Sequence, residues 1–504
     1  MRINVLEYLE NTVNTVPGKL AYSDGENGLS FMQVSEGARA VGTFLSAHGY
    51  YKEPVAVCMK KKPETVAAFF GVVYSGCFYV PFDDEIPRHR IEMIFESVKP
   101  RAVICDDFML DHLKDTKHSC AIYEYRDICR TPADDVLLAG IRDRAIDTDP
   151  VYTVFTSGST GTPKGVVACH RSILDYIEAL SDTLRFDRET IFGNQAPLYV
   201  DACLKELFPT VKFGATTYLI PKQLFMFPTR LVDYLNENKI NTICWVVSAL
   251  TMISGFDTLE KNVPEHLKVI AFGGEVFPIV QLNKWRAALP DTRFVNLYGP
   301  TEATGMSCFF EVTRQFGENE TLPIGRPFRN TEILLIDENG LTAGEGIEGE
   351  ICIRGTALTI GYWGDFDKTN EVFTQNPMNK AYPELIYKTG DIGKYNEFGE
   401  LMFISRKDHQ IKHMGHRIEL GEIEIVAGKM PGIRSVCCVF DETSRRIVLF
   451  YTGQATSAEI ATGLKETLPR FMIPHMISKI DEMPLTANGK LDRKELKYRA
   501  PDAG

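Results

Sequence analysis

Residues 156–165 of this chain are Thr156-Ser157-Gly158-Ser159-Thr160-Gly161-Thr162-Pro163-Lys164-Gly165. The stretch packs hydroxyls, glycines and one lysine into a single loop. Glycines let backbone N–H groups approach an anion, hydroxyls donate further hydrogen bonds, and Lys164 adds a positive charge. Short β-prone apolar runs lie on both sides, at 152–155 and 166–169, so we expect the loop to join two strands. The sequence therefore predicts a phosphate-binding loop.

Two other structures are compatible with part of this pattern. A Walker P-loop would need glycine where Pro163 stands, serine or threonine where Gly165 stands, and a helix directly afterwards, so this loop is not a Walker P-loop. A solvated linker is the usual structure for a composition rich in glycine, serine and threonine. The Pro-Lys-Gly ending between two apolar runs argues against the linker.

Size, charge and cysteine content narrow the class of protein. A chain of 504 residues suggests about three domain-sized units. The net charge of −12 argues against nucleic acid as the main partner, because such partners are bound by a basic face. The twelve cysteines contain no Cys-x-x-Cys pair and are expected to be reduced core thiols. The sequence has no run of about 18 apolar residues, so no membrane span is expected. We predict that the protein is cytoplasmic and monomeric.

The alternation of helical and strand-like segments predicts an α/β fold. Pro63–Tyr74 and 250–258 have helical spacing, whereas Pro54–Cys58 is typical of a buried strand. From about Pro323 the pieces become shorter and β-rich, which indicates a β subdomain. A charged segment at 405–410 precedes a compact α+β tail and is either a hinge or an ordinary hairpin turn.

These patterns together predict two domains. The first, residues 1–407, is a large N-terminal domain of α/β subdomains plus the β subdomain. The second, residues 408–504, is a small α+β C-terminal domain.

Five further segments follow the loop in order along the chain. Asn296-Leu-Tyr-Gly-Pro-Thr-Glu302 offers an aromatic ring for a base and a carboxylate for Mg²⁺ on phosphate oxygens. Tyr387-Lys-Thr-Gly-Asp391 is expected to end a strand in a turn, with a carboxylate that can accept from ribose hydroxyls. The others are Arg406-Lys-Asp408, His416-Arg-Ile-Glu-Leu-Gly-Glu-Ile-Glu424, which alone is typical of a charged helix start, and Pro484-Leu-Thr-Ala-Asn-Gly-Lys490. Each segment alone is more often structural than functional, so the specific signal is their joint occurrence.

Together with the loop, these segments resemble the adenylate-forming superfamily, which includes acyl-CoA synthetases, luciferases and the adenylation domains of nonribosomal peptide synthetases. The resemblance covers nearly the whole chain and is closest to amino-acid-activating members, particularly D-alanine:carrier-protein ligases. It implies that a carboxylate attacks the α-phosphate of ATP to give an acyl-adenylate and pyrophosphate, and that a thiol then takes the acyl group. It also implies that residues 1–407 bind nucleotide and substrate, and that residues 408–504 are a mobile lid that rotates about the hinge and carries Lys490.

The resemblance also implies roles for individual residues. Lys490 would be the catalytic lysine that bridges carboxylate and α-phosphate, Thr301 would contact the α-phosphate, and Glu302 would bind Mg²⁺. Asp408 would be the hinge residue, and the loop at Gly415 would line the thiolation tunnel. Tyr298 would stack on adenine, and the Asp391 carboxylate would accept hydrogen bonds from the ribose hydroxyls. The whole ATP site would comprise Thr156, Ser157, Gly158, Ser159, Thr160, Lys164, Gly274, Glu275, Asn296, Tyr298, Gly299, Thr301, Asp391, Arg406 and Lys490. Ser405 stands where the family usually has glycine.

The same resemblance suggests where the substrate binds. Asp201 stands where amino-acid-activating members keep an aspartate for the substrate ammonium. The pocket would be lined by Ala202, Lys205, Cys244, Ala271, Gly273, Leu297, Gly305 and Met306. Gly273 departs from the D-alanine ligases, which typically have a bulkier cysteine there, so D-alanine is in doubt. An inward Lys205 would favour an acidic side chain, but a lysine that extends into solvent is the more usual structure.

We therefore expect activation of an amino acid by ATP and Mg²⁺, then transfer to the phosphopantetheine thiol of a carrier protein. The carrier is expected to be separate, because the chain ends soon after 491–496. One alternative is an acyl-CoA ligase of the same fold with free CoA as acceptor, against which Asp201 argues. The other is a catalytically idle nucleotide-binding protein, against which Lys164, Glu302, Asp391 and Lys490 argue.

Overall fold

The computed structural model describes residues 2–114, 116, 119–158, 161–344, 346–485 and 491–500. Helices and strands alternate along most of this length, which confirms the predicted α/β class. The helices are α1 (Leu6–Thr15), α2 (Phe31–Ala47), α3 (Pro63–Tyr74), α4 (Arg88–Val98), α5 (Asp107–Leu113), α6 (Tyr125–Ile128), α7 (Asp135–Arg142), α8 (His170–Leu184), α9 (Leu204–Phe213), α10 (Pro228–Glu237), α11 (Val247–Gly255), α12 (Ile279–Ala288), α13 (Phe366–Val372), α14 (Leu420–Gly428), α15 (Ser457–Thr467) and α16 (Arg493–Arg499).

The strands follow the apolar runs of the sequence. They are β1 (Leu20–Ser23), β2 (Gly28–Ser30), β3 (Pro54–Cys58), β4 (Phe78–Phe82), β5 (Ala102–Cys105), β6 (Ala121–Glu124), β7 (Pro150–Thr156), β8 (Lys164–Cys169), β9 (Ile191–Asn194), β10 (Thr216–Leu219), β11 (Thr242–Val246), β12 (Val269–Gly273), β13 (Arg293–Tyr298), β14 (Cys308–Glu311), β15 (Arg326–Pro327), β16 (Thr331–Ile336), β17 (Gly349–Gly355), β18 (Phe373–Gln375), β19 (Leu385–Tyr395), β20 (Leu401–Arg406), β21 (Gln410–His413), β22 (His416–Glu419), β23 (Ile433–Asp441), β24 (Arg446–Gly453) and β25 (Met476–Lys479).

Two large sheets form most of the N-terminal part. One has the strand order β6-β5-β3-β4-β7-β8 and the other the order β15-β14-β13-β12-β11-β9-β10-β1-β2. Their inner strands run parallel, and parallel sheets are covered by helices on both faces. Every residue of β3 is accordingly buried. Helix α3 is buried along nearly its whole length and begins with Pro63, where a missing N–H costs little.

The predicted β subdomain is a five-stranded sheet, with the order β16-β17-β19-β18 and β20 paired to β19. The expectation that a strand ends at Asp391 is wrong, because β19 runs on to Tyr395. A register shift opposite Glu350–Cys352 marks a bulge in this strand, and Gly390 adopts φ of +75° beside it. Glycine adopts this angle freely, so the strand bends there instead of turning back.

The C-terminal part is α+β, as predicted. A hairpin of β21 and β22 is followed by the sheet β23-β24-β25. Ile418, Ile423, Leu449 and Leu464 belong to one separate core cluster there. Strand β20 ends at Arg406 and β21 begins at Gln410, so the predicted hinge segment is a short connection between sheets. The domain boundary at 407/408 and the mobility of the C-terminal part stay predictions.

Candidate functional site

The predicted phosphate-binding loop joins β7 to β8, as expected. Thr156 pairs with Lys164 across these two antiparallel strands. A Cβ at Gly158 would lie 2.0 Å from the carbonyl oxygen of Thr162, so the tight turn of the loop depends on glycine there. Two further residues of the predicted site lie outside the described residues, namely Ser159 and Thr160.

The loop contacts strand β22 of the C-terminal part. The Ser157 hydroxyl donates to the carbonyl oxygen of Arg417 at 2.7 Å and accepts from the backbone N–H of Glu419 at 3.2 Å. The Lys164 ammonium lies 3.9 Å from the Glu419 carboxylate. Groups that the sequence predicts for phosphate binding are thus covered by a C-terminal strand in this arrangement.

Glu302 is a fully buried carboxylate beside this loop. It accepts a 2.6 Å hydrogen bond from the Tyr362 hydroxyl, and Nη1 of Arg417 donates to its two oxygens at 3.0 and 2.7 Å. Burial raises the pKa of Glu302, but the charges of Arg417 and Lys164 and the Tyr362 hydroxyl outweigh burial and lower it to about 2. The carboxylate is therefore ionised at neutral pH.

Glu302 fits the magnesium ion that the sequence implies. Mg²⁺ takes oxygen ligands and is usually bound by one or two carboxylates together with phosphate oxygens. Both oxygens of Glu302 are hydrogen-bonded by Arg417 in this arrangement. Arg417 therefore competes with a metal for both oxygens of Glu302.

Strands β19 and β20 present the carboxylate predicted for the ribose. Asp391 pairs with Arg406 across the strands, and its side chain accepts hydrogen bonds from the Tyr298 hydroxyl and the Arg406 guanidinium. Arg406 also donates two 2.7 Å hydrogen bonds to Asp408. The Lys412 ammonium lies 5.4 Å from the centroid of the Tyr298 ring. Tyr298 is buried, and its predicted stacking on adenine stays a prediction.

Of three more predicted nucleotide-site residues, two directly follow β12 and one lies within β13. Gly274 adopts φ of +83° directly after β12. The Glu275 carboxylate accepts from the backbone N–H of Ser248 at 3.0 Å and forms a 2.9 Å ion pair with Arg445 from the C-terminal part. Asn296 is buried within β13. The C-terminal part thus reaches this edge of the sheet as well as the loop.

Neighbouring strands bring one wall of the predicted substrate pocket together. Cys244 of β11 pairs with Ala271 of β12, and Gly273 of β12 pairs with Leu297 of β13. A Cβ at Gly273 would lie 2.3 Å from the carbonyl oxygen of Leu297. Any larger residue would force the backbone to move, so this close approach of two strands depends on glycine.

Two other predicted pocket residues, Asp201 and Ala202, lie in the 3-10 turn that precedes α9. Burial raises the pKa of the Asp201 carboxyl, while a hydrogen bond with Thr301 and the charge of Lys205 lower it. Thr301 therefore connects Asp201 to the neighbouring Glu302. The predicted substrate and phosphate sites meet at this threonine.

Gly305 and Met306 complete the predicted pocket. A Cβ at Gly305 would lie 2.8 Å from the Tyr176 ring, and a Cβ at Gly299 would lie 2.2 Å from the carbonyl oxygen of Gly305. Met306 packs against the main core cluster. The structure therefore brings residues predicted for the substrate and residues predicted for ATP into direct contact.

Lys205 is buried in the first turn of α9, with an exposed fraction of 4%. Its charge acts on Asp201 and on Cys244, both of which are predicted pocket residues. The alternative that Lys205 extends into solvent is therefore wrong.

Sequence reasoning missed the residues through which the C-terminal part contacts the site. The segment that contains Arg417 is, on its own, typical of a charged helix start. The residues around Tyr362 form no pattern that indicates a functional site. A buried ion pair of 2.7 Å joins Arg90 of α4 to Glu422 of α14. Such contacts depend on which distant segments meet, so only the folded chain reveals them.

The hairpin turn at Gly415 and the surroundings of Lys490 were also predicted to matter. A Cβ at Gly415 would lie 2.4 Å from a methyl group of Val246, so the turn packs directly against the end of β11. Lys490 lies outside the described residues. Of the flanking residues, Leu485 pairs with Leu491 in an isolated β-bridge. The proposed role of Lys490 stays a prediction.

Among the described residues, no helix combines the length and apolar character needed to cross a membrane.

A family model described as "AMP-binding enzyme" matches residues 9–363. The chain is 30% identical to tyrocidine synthase 1 of Brevibacillus parabrevis, over 98% of this chain and 45% of that protein. It is 29% identical to bacitracin synthase 1 of Bacillus licheniformis, over 97% of this chain and 9% of that protein. The chain therefore spans less than half the length of these curated relatives.

Solved structures with the same fold include holo-PA1221, an NRPS protein containing adenylation and PCP domains. It matches with a TM-score of 0.85 at 24% identity, over 98% of this chain and 84% of that chain. The o-succinylbenzoate CoA synthetase MenE from Bacillus subtilis matches with a TM-score of 0.83 at 20% identity, over 99% of each chain. At these identities the likeness concerns the fold alone.

Proposed function

The chain belongs to the family of AMP-binding enzymes, and on this premise we propose that it activates an amino acid with ATP and passes it to the thiol of a carrier protein. In the first step, the substrate carboxylate attacks the α-phosphate of ATP, so that an aminoacyl-adenylate forms and pyrophosphate leaves. In the second, the phosphopantetheine thiol of a separate carrier attacks the acyl carbon, so that a thioester forms and AMP leaves.

The observation that carries this proposal is the environment of Asp201. Burial disfavours its charged form, and in the described part of the chain no lysine or arginine forms an ion pair with it. A buried carboxylate gains most from a cation that arrives with the ligand. The ammonium of an amino acid supplies that cation, and a fatty or aryl acid does not. Thr301 and Glu302 lie beside Asp201, so the substrate carboxylate would lie near the phosphates.

The phosphate end of ATP would be held by the loop around Ser157 and Lys164. Mg²⁺ would be held by Glu302 and phosphate oxygens and would neutralise phosphate charge. We propose that Arg417 leaves Glu302 for this step, as a rotation of the C-terminal domain would allow, and that Lys490 then bridges carboxylate and α-phosphate.

The hairpin of β21 and β22 would serve the second step. With Arg417 on Glu302, a metal that carries pyrophosphate must compete with the guanidinium for both oxygens of that carboxylate. The docked arrangement therefore suits the state after pyrophosphate has left, when only the thiol has still to attack. In that state the turn at Gly415, packed against Val246, would line the path of the thiol.

The test is ATP–pyrophosphate exchange over L- and D-amino acids with the wild type and with Asp201→Asn. We expect exchange with at least one amino acid, and a loss of roughly 100-fold or more in kcat/KM in the variant, because a buried charge–ammonium contact is removed. Asp182→Asn, which changes an exposed aspartate, is the matched control and should leave exchange intact.

Two further measurements complete the test. Lys490→Ala should lose exchange while it retains ATP binding. Transfer to a holo carrier protein but not to free CoA supports the carrier as acceptor, whereas preference for CoA supports the ligase alternative. ATP binding without exchange on any carboxylate would instead support a catalytically idle protein.

A further inference from the structure

Lys205 places a positive charge in the wall of the substrate pocket. It follows Asp201 by four residues, a spacing that puts both side chains on one face of the helix start. Its charge lowers the pKa of Asp201 and Glu206, and also that of the Cys244 thiol, which burial raises. The ammonium is therefore close enough to act on all three side chains, and two of them, Asp201 and Cys244, are predicted pocket residues.

The ammonium of this buried side chain has no direct partner. In the part of the chain that the structure describes, Lys205 donates no hydrogen bond and forms no ion pair, although its exposed fraction is 4%. Lysine is rarely buried without a partner, because the charged head normally stays in water. A buried lysine of this kind indicates a ligand that supplies the missing anion.

Glu206 does not fill that role. Burial raises the pKa of Glu206 to about 7, so at neutral pH a substantial fraction of this carboxyl is uncharged. One of its oxygens accepts from the Asn194 amide at 3.2 Å. A carboxyl whose charged form burial disfavours, and one of whose oxygens is bound to an amide, offers Lys205 little compensation.

A second lysine nearby, Lys61, is half-buried and has a full set of hydrogen-bond acceptors. The Lys61 ammonium donates to the carbonyl oxygens of Asn194, Gln195 and Ile220, at 3.0, 3.1 and 3.4 Å. These three bonds fix the loop after β3 to the ends of β9 and β10, which is a structural role. Lys205 has no comparable set of acceptors among the residues that the structure describes, so a structural role does not account for it.

We infer that Lys205 binds the side-chain carboxylate of the substrate, so that the amino acid activated is an acidic one. This inference rests on the proposed function. The substrate ammonium would pair with Asp201, its side-chain carboxylate with Lys205, and its α-carboxylate would face Thr301 and the phosphates. A single ligand would then neutralise both buried charges of the pocket.

The experiment is pyrophosphate exchange with aspartate, glutamate and their amides, asparagine and glutamine, in both chiralities, beside a panel of neutral amino acids. The amide differs from the acid by its charge and hardly by its shape. We expect one acid to exceed its own amide by at least about 100-fold in kcat/KM, because the amide leaves Lys205 unpaired.

Two variants separate a specificity role from a structural one. Lys205→Gln should reduce or reverse the preference for acid over amide while the KM for ATP stays unchanged, and Lys205→Arg should retain the preference for the acid. Lys212→Gln is the matched control, because Lys212 lies on the same helix but already pairs with Glu178 at 2.7 Å. It should leave the preference unchanged.

The outcomes are distinguishable. A neutral amino acid preferred over both acids by the wild type overturns the inference and leaves the proposed function standing. An acid preference that survives in Lys205→Gln also overturns it. Exchange with no amino acid at all overturns the proposed function, and the inference with it.

Discussion

Arg417 of the C-terminal hairpin donates hydrogen bonds to both carboxylate oxygens of Glu302, at 3.0 and 2.7 Å. The carboxylate predicted to bind Mg²⁺ is therefore neutralised by the protein itself in this arrangement. Because the two residues lie on different sides of the predicted hinge, this ion pair couples the position of the C-terminal part to the charge of the site.

The first prediction concerns pH. The pKa of Glu302 is lowered from 4.5 to about 2 in the folded chain. Because the folded-state pKa is depressed, the stabilisation is present above pH 4.5 and is lost as the pH falls towards 2. We expect the stability difference between the wild type and Glu302→Gln to shrink by about 3 kcal/mol across this window.

The measurement is urea unfolding of both proteins at a series of pH values. Glu442→Gln, which changes an exposed glutamate, is the control for acid effects that are unrelated to the site. A difference between wild type and Glu302→Gln that is constant from pH 5 to pH 2 would contradict the assigned role of Arg417.

The second prediction concerns the ion pair between Arg90 and Glu422, whose side chains are 7% and 1% exposed. Burial raises the pKa of Glu422, and the Arg90 charge lowers it. Arg90→Met leaves the carboxylate buried without its partner, which should cost about 3–5 kcal/mol. The double variant Arg90→Met/Glu422→Met should recover much of that loss.

A double-mutant cycle on thermal or urea unfolding measures this coupling. The exposed pair Lys497–Glu442, with side chains 51% and 78% exposed, is the matched comparison and should couple by about 0–1 kcal/mol. Equal coupling energies for the two pairs would show that the contact between α4 and α14 does not hold the C-terminal part in place.

The third prediction concerns Gly273. A Cβ there would lie 2.3 Å from the carbonyl oxygen of Leu297, so Gly273→Ala forces two paired strands apart. We expect a loss of about 1–3 kcal/mol in the free energy of unfolding, as for other overpacked sites. A weaker KM for the amino acid should accompany it, because both strands line the predicted pocket.

Gly140→Ala is the control for the glycine substitution itself. Gly140 lies within α7, and a Cβ added there would have no heavy atom of another part of the chain within 4 Å. Alanine should therefore be neutral or slightly stabilising in this helix. If Gly273→Ala unfolds at the same urea concentration as the wild type, the close approach of β12 and β13 is not rigid.

Much of the fold was predictable because local pattern and burial agree. Strand β3 and helix α3 have the bounds that their apolar spacing predicts, since both are buried along most of their length. Helix α11 begins at Val247, whereas its spacing predicts a start at 250. The apolar run continues from β11 into this helix, so periodicity alone does not locate the boundary.

The candidate site was predictable only in part. The loop at 156–165 and the carboxylates Glu302 and Asp391 stand in segments whose composition indicates anion or metal binding. Tyr362, Arg445 and Lys412 have no such local context, because each reaches the site from an element that is distant in sequence. Their contribution depends on tertiary contacts, which carry no signal in a local pattern.

The sequence by itself determined the α/β class, the strand–loop–strand at Thr156 to Gly165 and the family resemblance, because these depend on residue type and spacing along the chain. Only the tertiary structure decided that Arg417 neutralises Glu302 and that Lys205 is buried instead of extending into solvent. The physical reason is that tertiary folding decides which segments meet, and therefore whether a buried charged group has a partner. The pKa and the free energy of such a group depend on those neighbours far more than on its position in the sequence.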